Sequence, residues 1–214
     1  MAARISAMVL MGVLAQFIPG WIMKRKNKTD LAGKKKIIVS RILAEAAFIG
    51  SSILLVFMEK DLVSCLLLMA ILMLSASIII VDTRCRIIPN LCLFPMLLLC
   101  IGYMGRNIKL GGSWEQIPAG VFSMVMMCVI LQALTVMLHF QGYLGAGDIK
   151  YLSVAAFLFT FSTRITGMLL ALVISMAAYL IPMLLTKKIT LKSMIAFGPF
   201  IGFGMMGGIC WLYL

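Results

Sequence analysis

The sequence predicts an all-α membrane protein, a polytopic bundle of about eight transmembrane helices. Hydrophobic residues make up 63% of the 214-residue chain and charged residues only 12%, about half the share found in soluble domains. The mean hydropathy is +1.12, so the apolar surface exceeds what one core could bury and lipid has to cover the rest. The net charge of +12 does not indicate nucleic-acid binding, because the basic residues lie in short runs between long apolar segments.

Eight apolar segments approach the length of about 20 residues that a helix needs to cross a bilayer. Five contain no charged residue: 5–23, 62–81, 116–138, 165–186 and 193–214. Three are weaker, because 42–58 contains Glu45, 87–104 contains Pro95 and 149–163 is short. We expect the first segment to be retained, since it lacks a cleavage signature and precedes a basic run. No connecting loop is long enough to fold alone, so we expect residues 1–214 to form one transmembrane domain.

The basic residues orient these segments by the positive-inside rule. If the basic loop 24–41 is cytoplasmic, alternation of eight segments places 14 basic residues on that side and five on the other. We therefore expect both termini on the outer side of the inner or plasma membrane, with membrane lipid as the surrounding partner.

Two of the seven acidic residues stand apart from the others. The remaining five are expected to be solvated loop charges or, for Glu45, half of an i,i+4 ion pair with Arg41: Asp30, Glu45, Glu59, Asp61 and Glu115. Asp82 directly follows 20 uncharged residues, and Asp148 ends a charge-free stretch of 32. Acidic residues at a lipid boundary tend to face a bundle interior or a water-filled cavity. Two predicted segments separate them, so both should lie at the same membrane face.

The residues around these aspartates fit a catalytic pair. Gly145 and Gly147 precede Asp148 and allow close approach of backbone, so the loop could receive an extended peptide. Pro89 and Asn90, which follow Asp82, indicate a turn or helix start. Two neighbouring carboxyls share a proton, so one can activate water while the other donates to a carbonyl, as in aspartic proteases.

These motifs resemble those of the type IV prepilin peptidases. The segment Gly145–Lys150 reads as G-x-G-D-x-K, and Asp82 with Ile88-Pro89-Asn90 is similar to the family's first aspartate and I-P-N signature. A third landmark is the segment Phe197-Gly198-Pro199-Phe200, which resembles a late F-G-P segment in these enzymes.

The resemblance implies a G-x-G-D intramembrane aspartic endopeptidase that removes the basic leader of prepilins or pseudopilins at the cytoplasmic membrane face. Asp82 and Asp148 would be its catalytic pair, Gly145 and Gly147 would shape the loop, and Lys150 would be accessory. Bifunctional relatives carry a cytoplasmic insert with paired C-x-x-C motifs and also methylate the new terminus. The loop 24–36 contains no cysteine, which argues against methyl transfer.

No metal or other cofactor is expected. The six cysteines form no C-x-x-C pair and His139 is the only histidine, so the sequence offers no zinc ligand set. Two other functions remain open: a proton-coupled transporter that uses the two aspartates as a relay, and a membrane scaffold without activity. A transporter would predict an internal repeat, and none is visible.

Overall fold

The protein is an all-helical bundle. A computed structural model describes residues 1–26, 34–137, 145–160, 163–185 and 196–213. Eight helices and no strand occur within these ranges: α1 (Ala2–Lys26), α2 (Lys34–Met58), α3 (Leu62–Cys85), α4 (Asn90–Lys109), α5 (Gln116–Met137), α6 (Ala146–Phe159), α7 (Thr163–Leu185) and α8 (Gly198–Trp211). The predicted all-α fold is confirmed. His139, Asp30 and the basic residues 187, 188 and 192 lie outside the described ranges, so their predicted roles stay predictions.

The ends of two helices differ from the predicted segments in a way that matters for the aspartates. The helix α3 continues past residue 81 to Cys85, so Asp82 lies in its last turn. The helix α6 begins at Ala146 and not at 149, so Asp148 lies in its first turn. Charge-free runs locate the apolar part of a helix, whereas capping groups and backbone geometry decide where the helix ends. Both aspartates are therefore helical residues.

The chain is a multi-pass membrane protein. Five helices are long and apolar enough to cross a bilayer by length and composition: Ala2–Ile22, Arg41–Met58, Leu62–Cys85, Asn90–Lys109 and Gln116–Met137. In α7 the apolar run is shorter, Ile165–Ile181. With 14 residues each, α6 and α8 are about 21 Å long at 1.5 Å per residue. Spanning by α6, α7 and α8 stays a prediction.

The helix α3 forms the centre of the bundle. Nineteen of its 24 residues are buried, as expected for a helix that is hydrophobic on all sides. It packs against α1, α2, α4 and α8, whereas α6 packs against α4, α5, α7 and α8. Large apolar side chains such as Phe17, Phe57, Phe94 and Phe122 point outward, where lipid would cover them. The two helices that carry the aspartates are thus both interior elements, with α4 and α8 in contact with each.

The start of α1 and the end of α8 lie at one end of the bundle, which we call the terminal end. Arg4 of α1 donates to the carbonyl oxygen of Val56 at 3.1 Å and to that of Glu59. The hydroxyl of Tyr213, beyond α8, donates to the carboxylate of Glu59. These contacts place the first end of α1 and the last end of α8 beside the α2–α3 turn.

At the terminal end, Glu59 and Asp61 have specific partners, although the sequence predicts that both are solvated loop charges. Asp61 accepts two hydrogen bonds from the guanidinium of Arg106, at 2.6 and 2.9 Å, and also caps α3 through the N–H of Ser64 at 2.8 Å. Glu59 is bound by Tyr213, as described above. Neither partner is near in sequence, which is why the pairings were not foreseen. The predicted pair of Arg41 and Glu45 is confirmed at 2.9 Å.

Candidate active site

Asp82 is buried at the end of the bundle opposite the terminal end. Its residue surface is only 4% exposed, and its Oδ2 accepts the backbone N–H of Gly198 at 3.0 Å. One turn later α3 stops at Arg86, which adopts a left-handed conformation with φ of 52° and donates its N–H to the carbonyl of Asp82 at 2.8 Å. The helix end and the hydrogen bond from α8 together fix both the backbone and the side chain of Asp82.

Asp148 lies in the first turn of α6 and is half-buried. Its Oδ2 accepts the backbone N–H of Gly145, the residue that precedes the helix, at 3.0 Å. A carboxylate in this position satisfies a free N–H group and interacts favourably with the helix dipole. Asp148 is therefore both a helix cap and a carboxyl group with partial access to solvent.

The glycine-rich loop packs on the segment that follows Asp82. A Cβ atom at Gly147 would lie 3.0 Å from Cβ of Ile88 and 3.7 Å from its backbone nitrogen. Pro89 is buried and precedes the first residue of α4, while Asn90 begins that helix and is exposed. The first two sequence landmarks are thus in direct contact, which glycine at 147 permits.

The third landmark forms the N-terminus of α8 and reaches Asp82. Gly198 is buried, Pro199 occupies the first turn, and Phe197 packs edge-on against Phe200 with 6.1 Å between ring centroids. A Cβ atom at Gly198 would lie 2.7 Å from Oδ2 of Asp82. The structure therefore brings this segment, 116 residues away in sequence, into the site.

Four helix ends meet here: the C-terminus of α3 and the N-termini of α4, α6 and α8. We call this the motif end. Asp82 and Asp148 both lie at the motif end, where Gly147, the residue before Asp148, packs against Ile88, six residues after Asp82. No hydrogen bond joins the two aspartate side chains, and each accepts the N–H of a glycine instead. The sequence predicts that the carboxyls of Asp82 and Asp148 share a proton, and this stays a prediction. Lys150 and Arg86 are exposed at the same end.

A metal site is not evident in the part of the chain that the structure describes. No group of three or more His, Cys, Asp or Glu side chains lies together there. The chemistry that the described residues offer at the motif end is that of two carboxyl groups, one buried and one partly open to solvent.

Tyr151 lies one turn after Asp148 and was not among the site residues predicted from sequence. Its side chain is completely buried, and a Cβ atom at Gly202 of α8 would lie 3.5 Å from its hydroxyl oxygen. The spacing of three residues from Asp148 could have indicated a shared helix face. The contact with α8 is long-range and has no local signal.

The comparisons with known proteins agree with this arrangement. A family model described as the type IV leader peptidase family matches residues 66–184, more than half of the chain and a range that includes both aspartates. No curated protein and no solved structure matches the chain. The family match covers the two aspartate motifs, and the third landmark, just beyond it, contacts the first of them. The chain therefore belongs to the type IV leader peptidase family, and it is a membrane-embedded peptidase.

Proposed function

We propose that the protein is an aspartic endopeptidase that cleaves the leader peptide of type IV prepilins or pilin-like proteins. The observation that carries the proposal is the convergence of helix ends at the motif end, which holds both carboxyl groups. Each carboxylate is held by a glycine N–H, and the landmark segments pack around them. Within a membrane peptidase, such a pair is the natural candidate for the hydrolytic groups.

Hydrolysis by this pair needs one carboxyl ionised and one protonated. The ionised carboxylate takes a proton from a water molecule, and the oxygen of that water attacks the scissile carbonyl carbon. At the same time, the protonated carboxyl donates its proton to the carbonyl oxygen. The carbon–nitrogen bond then breaks as the protonated carboxyl gives its proton to the leaving amine. The other carboxylate takes a proton from a hydroxyl of the tetrahedral intermediate, so the product carboxylic acid forms and the pair returns to its singly protonated state. No nucleophilic side chain and no metal is required.

The position of the pair fits a bond next to a hydrophobic helix. Asp82 lies in the last turn of a membrane-spanning helix, and Asp148 lies in the first turn of α6, which is only about 21 Å long by its rise per residue. A prepilin carries a short basic leader followed directly by an apolar helix. With that helix in the bilayer beside the enzyme, the leader junction would reach the motif end in extended form. There it could pair with the backbone of the loop at Gly145 and Gly147.

We assign the motif end to the cytoplasmic face of the inner or plasma membrane. Basic residues at the C-terminus of α1, the N-terminus of α2 and the C-terminus of α3, together with Lys150, lie at this end. They outnumber the basic residues of the terminal end, Arg4, Lys60, Arg106 and Lys109. Such a distribution agrees with the positive-inside rule. The leader of the substrate would then be cut on the cytoplasmic side, before export of the mature protein.

Co-expression with a candidate prepilin tests the proposal. The wild-type enzyme is expected to convert the precursor to a shorter product on a gel, and the variants Asp82→Asn and Asp148→Asn are expected to leave it uncut. N-terminal sequencing of the product should place the cut at the junction between leader and apolar helix. If both variants still process the precursor, the aspartates serve another purpose, such as a proton relay, and the hydrolytic assignment is wrong.

A further inference from the structure

The N-terminus of α8 binds the side chain of Asp82. The N–H of Gly198, at the first position of this helix, donates to Oδ2 of Asp82 at 3.0 Å, within a buried region. The first N–H groups of a helix have no partner within the helix, and they carry its partial positive charge. Asp82 thus occupies a ready-made carboxylate site supplied by a different helix.

We propose that Gly198 is a positioning residue for hydrolysis, because its N–H and the space left by its missing side chain hold Asp82 in the reactive orientation. The inference rests on the proposed role of Asp82 as a hydrolytic carboxyl. It assigns a function to the Phe-Gly-Pro segment, for which sequence gives only a resemblance. Gly198 acts through Asp82 and needs no contact with the substrate.

Space explains why position 198 has to be glycine. A Cβ atom there would lie 2.7 Å from Oδ2, 3.0 Å from Cγ and 3.1 Å from Cβ of Asp82. All three distances are shorter than the 3.5–4.0 Å of an ordinary carbon contact. Even alanine would therefore have to push the Asp82 side chain away from the N-terminus of α8, and so change the hydrogen bond as well.

The rest of α8 is held firmly, so the collision at position 198 cannot be relieved by sliding the helix. A Cβ at Gly204 would lie 3.1 Å from the carbonyl oxygen of Met168 in α7, and one at Gly207 would lie 2.4 Å from Cβ of Ala171. These close approaches hold the second half of α8 against α7. The carboxyl of Asp82, at the end of its side chain, is the part that can move.

Gly207 provides a control on the same helix, away from the motif end. A Cβ there would collide with Cβ of Ala171 in α7 at 2.4 Å. Gly207→Ala should therefore disturb the packing of α8 without touching Asp82. The comparison of the two alanine variants separates positioning from general packing.

The kinetic test uses the full-length enzyme in detergent with a purified prepilin. For Gly198→Ala we expect kcat to fall about 100-fold, the loss associated with a misplacement of about 1 Å in a reacting group, while KM stays close to that of the wild type. For Gly207→Ala we expect a lower melting temperature with kcat per folded molecule nearly unchanged. Equal kcat values for the two variants, after correction for folded protein, would overturn the proposal.

A second measurement does not depend on the folding of Gly198→Ala. The chain contains only two Phe-Gly pairs, at 197–198 and 203–204, so labelling with [1-¹³C]Phe and [¹⁵N]Gly selects two amide signals. Gly204 serves as the internal control. We expect one of the two amide signals to move on Asp82→Asn and to titrate with pH in the wild type, since its acceptor changes charge. If neither signal responds, Gly198 does not bind the carboxylate and the inference is wrong.

Different results would refute the proposed function and the positioning role of Gly198. Asp82→Asn and Asp148→Asn variants that still cut prepilin would overturn the proposed function. Loss of cutting in these variants together with normal kcat for Gly198→Ala would overturn only the positioning role.

Discussion

Substitution of Gly147 tests whether contact between the two aspartate motifs matters for activity. In Gly147→Ala the new methyl carbon would lie 3.0 Å from Cβ and 3.6 Å from Cγ1 of Ile88. Because carbon atoms in contact prefer about 3.5–4.0 Å, the first turn of α6 would have to withdraw from Ile88 by about 0.5–1 Å. Asp148 is the next residue and would move with it.

The expected result is a cleavage rate lower by about 10- to 100-fold, since misplacement of a reacting group by about 1 Å costs up to about 100-fold. Overpacking of this kind should also destabilise the fold by about 1–3 kcal/mol. Initial rates of prepilin cleavage, normalised to folded protein, provide the measurement. Gly105→Ala on α4 is the matched control, because a Cβ there meets no atom within 4 Å. A Gly147→Ala enzyme with the rate of the Gly105→Ala enzyme would refute the reasoning.

Three further predictions concern the carboxylates and metal dependence. Asp82→Glu and Asp148→Glu should each lose most activity in the cleavage assay, because one added methylene displaces the carboxyl; near-normal turnover by both would argue against direct catalysis. Asp61→Asn should lower the melting temperature at neutral pH while keeping the helix cap, since asparagine also caps. Arg106 holds the pKa of the Asp61 carboxyl well below its usual range, so its contribution is present above about pH 4 and is lost as the pH falls toward the lowered value. The melting-temperature difference should therefore shrink in acid, and a difference that is constant with pH would contradict the ion-pair explanation. Metal chelators should leave cleavage unchanged; inhibition that zinc reverses would show a metal requirement.

The fold could be predicted from sequence because its signal is local. Apolar runs and the spacing of basic residues reveal the helices without any knowledge of their neighbours. Helix ends were less accurate, as at Cys85 and Ala146, because capping and a left-handed residue such as Arg86 decide them. Both aspartates therefore lie in helix turns, whereas the sequence predicts that they lie just outside the helices.

The aspartates of the candidate site could be predicted from sequence, but the contacts that these residues make could not. Asp82 and Asp148 stand out because a charge at a lipid boundary is costly and needs a reason. The hydrogen bond from Gly198 to Asp82 joins residues 116 apart in sequence, and only the packing of α8 beside α3 creates it. The same holds for the pairing of Arg106 with Asp61, which sequence reasoning treated as an exposed loop charge.

The central claim, that Asp82 and Asp148 act as one hydrolytic unit, is tested most directly by the double variant. The rate of prepilin cleavage by purified enzyme would be measured for Asp82→Asn, for Asp148→Asn and for the two together. Groups that act as a unit are not additive, so each single variant should lose as much activity as the double variant. Substantial cleavage by either single variant, or losses that simply multiply in the double variant, would contradict the account.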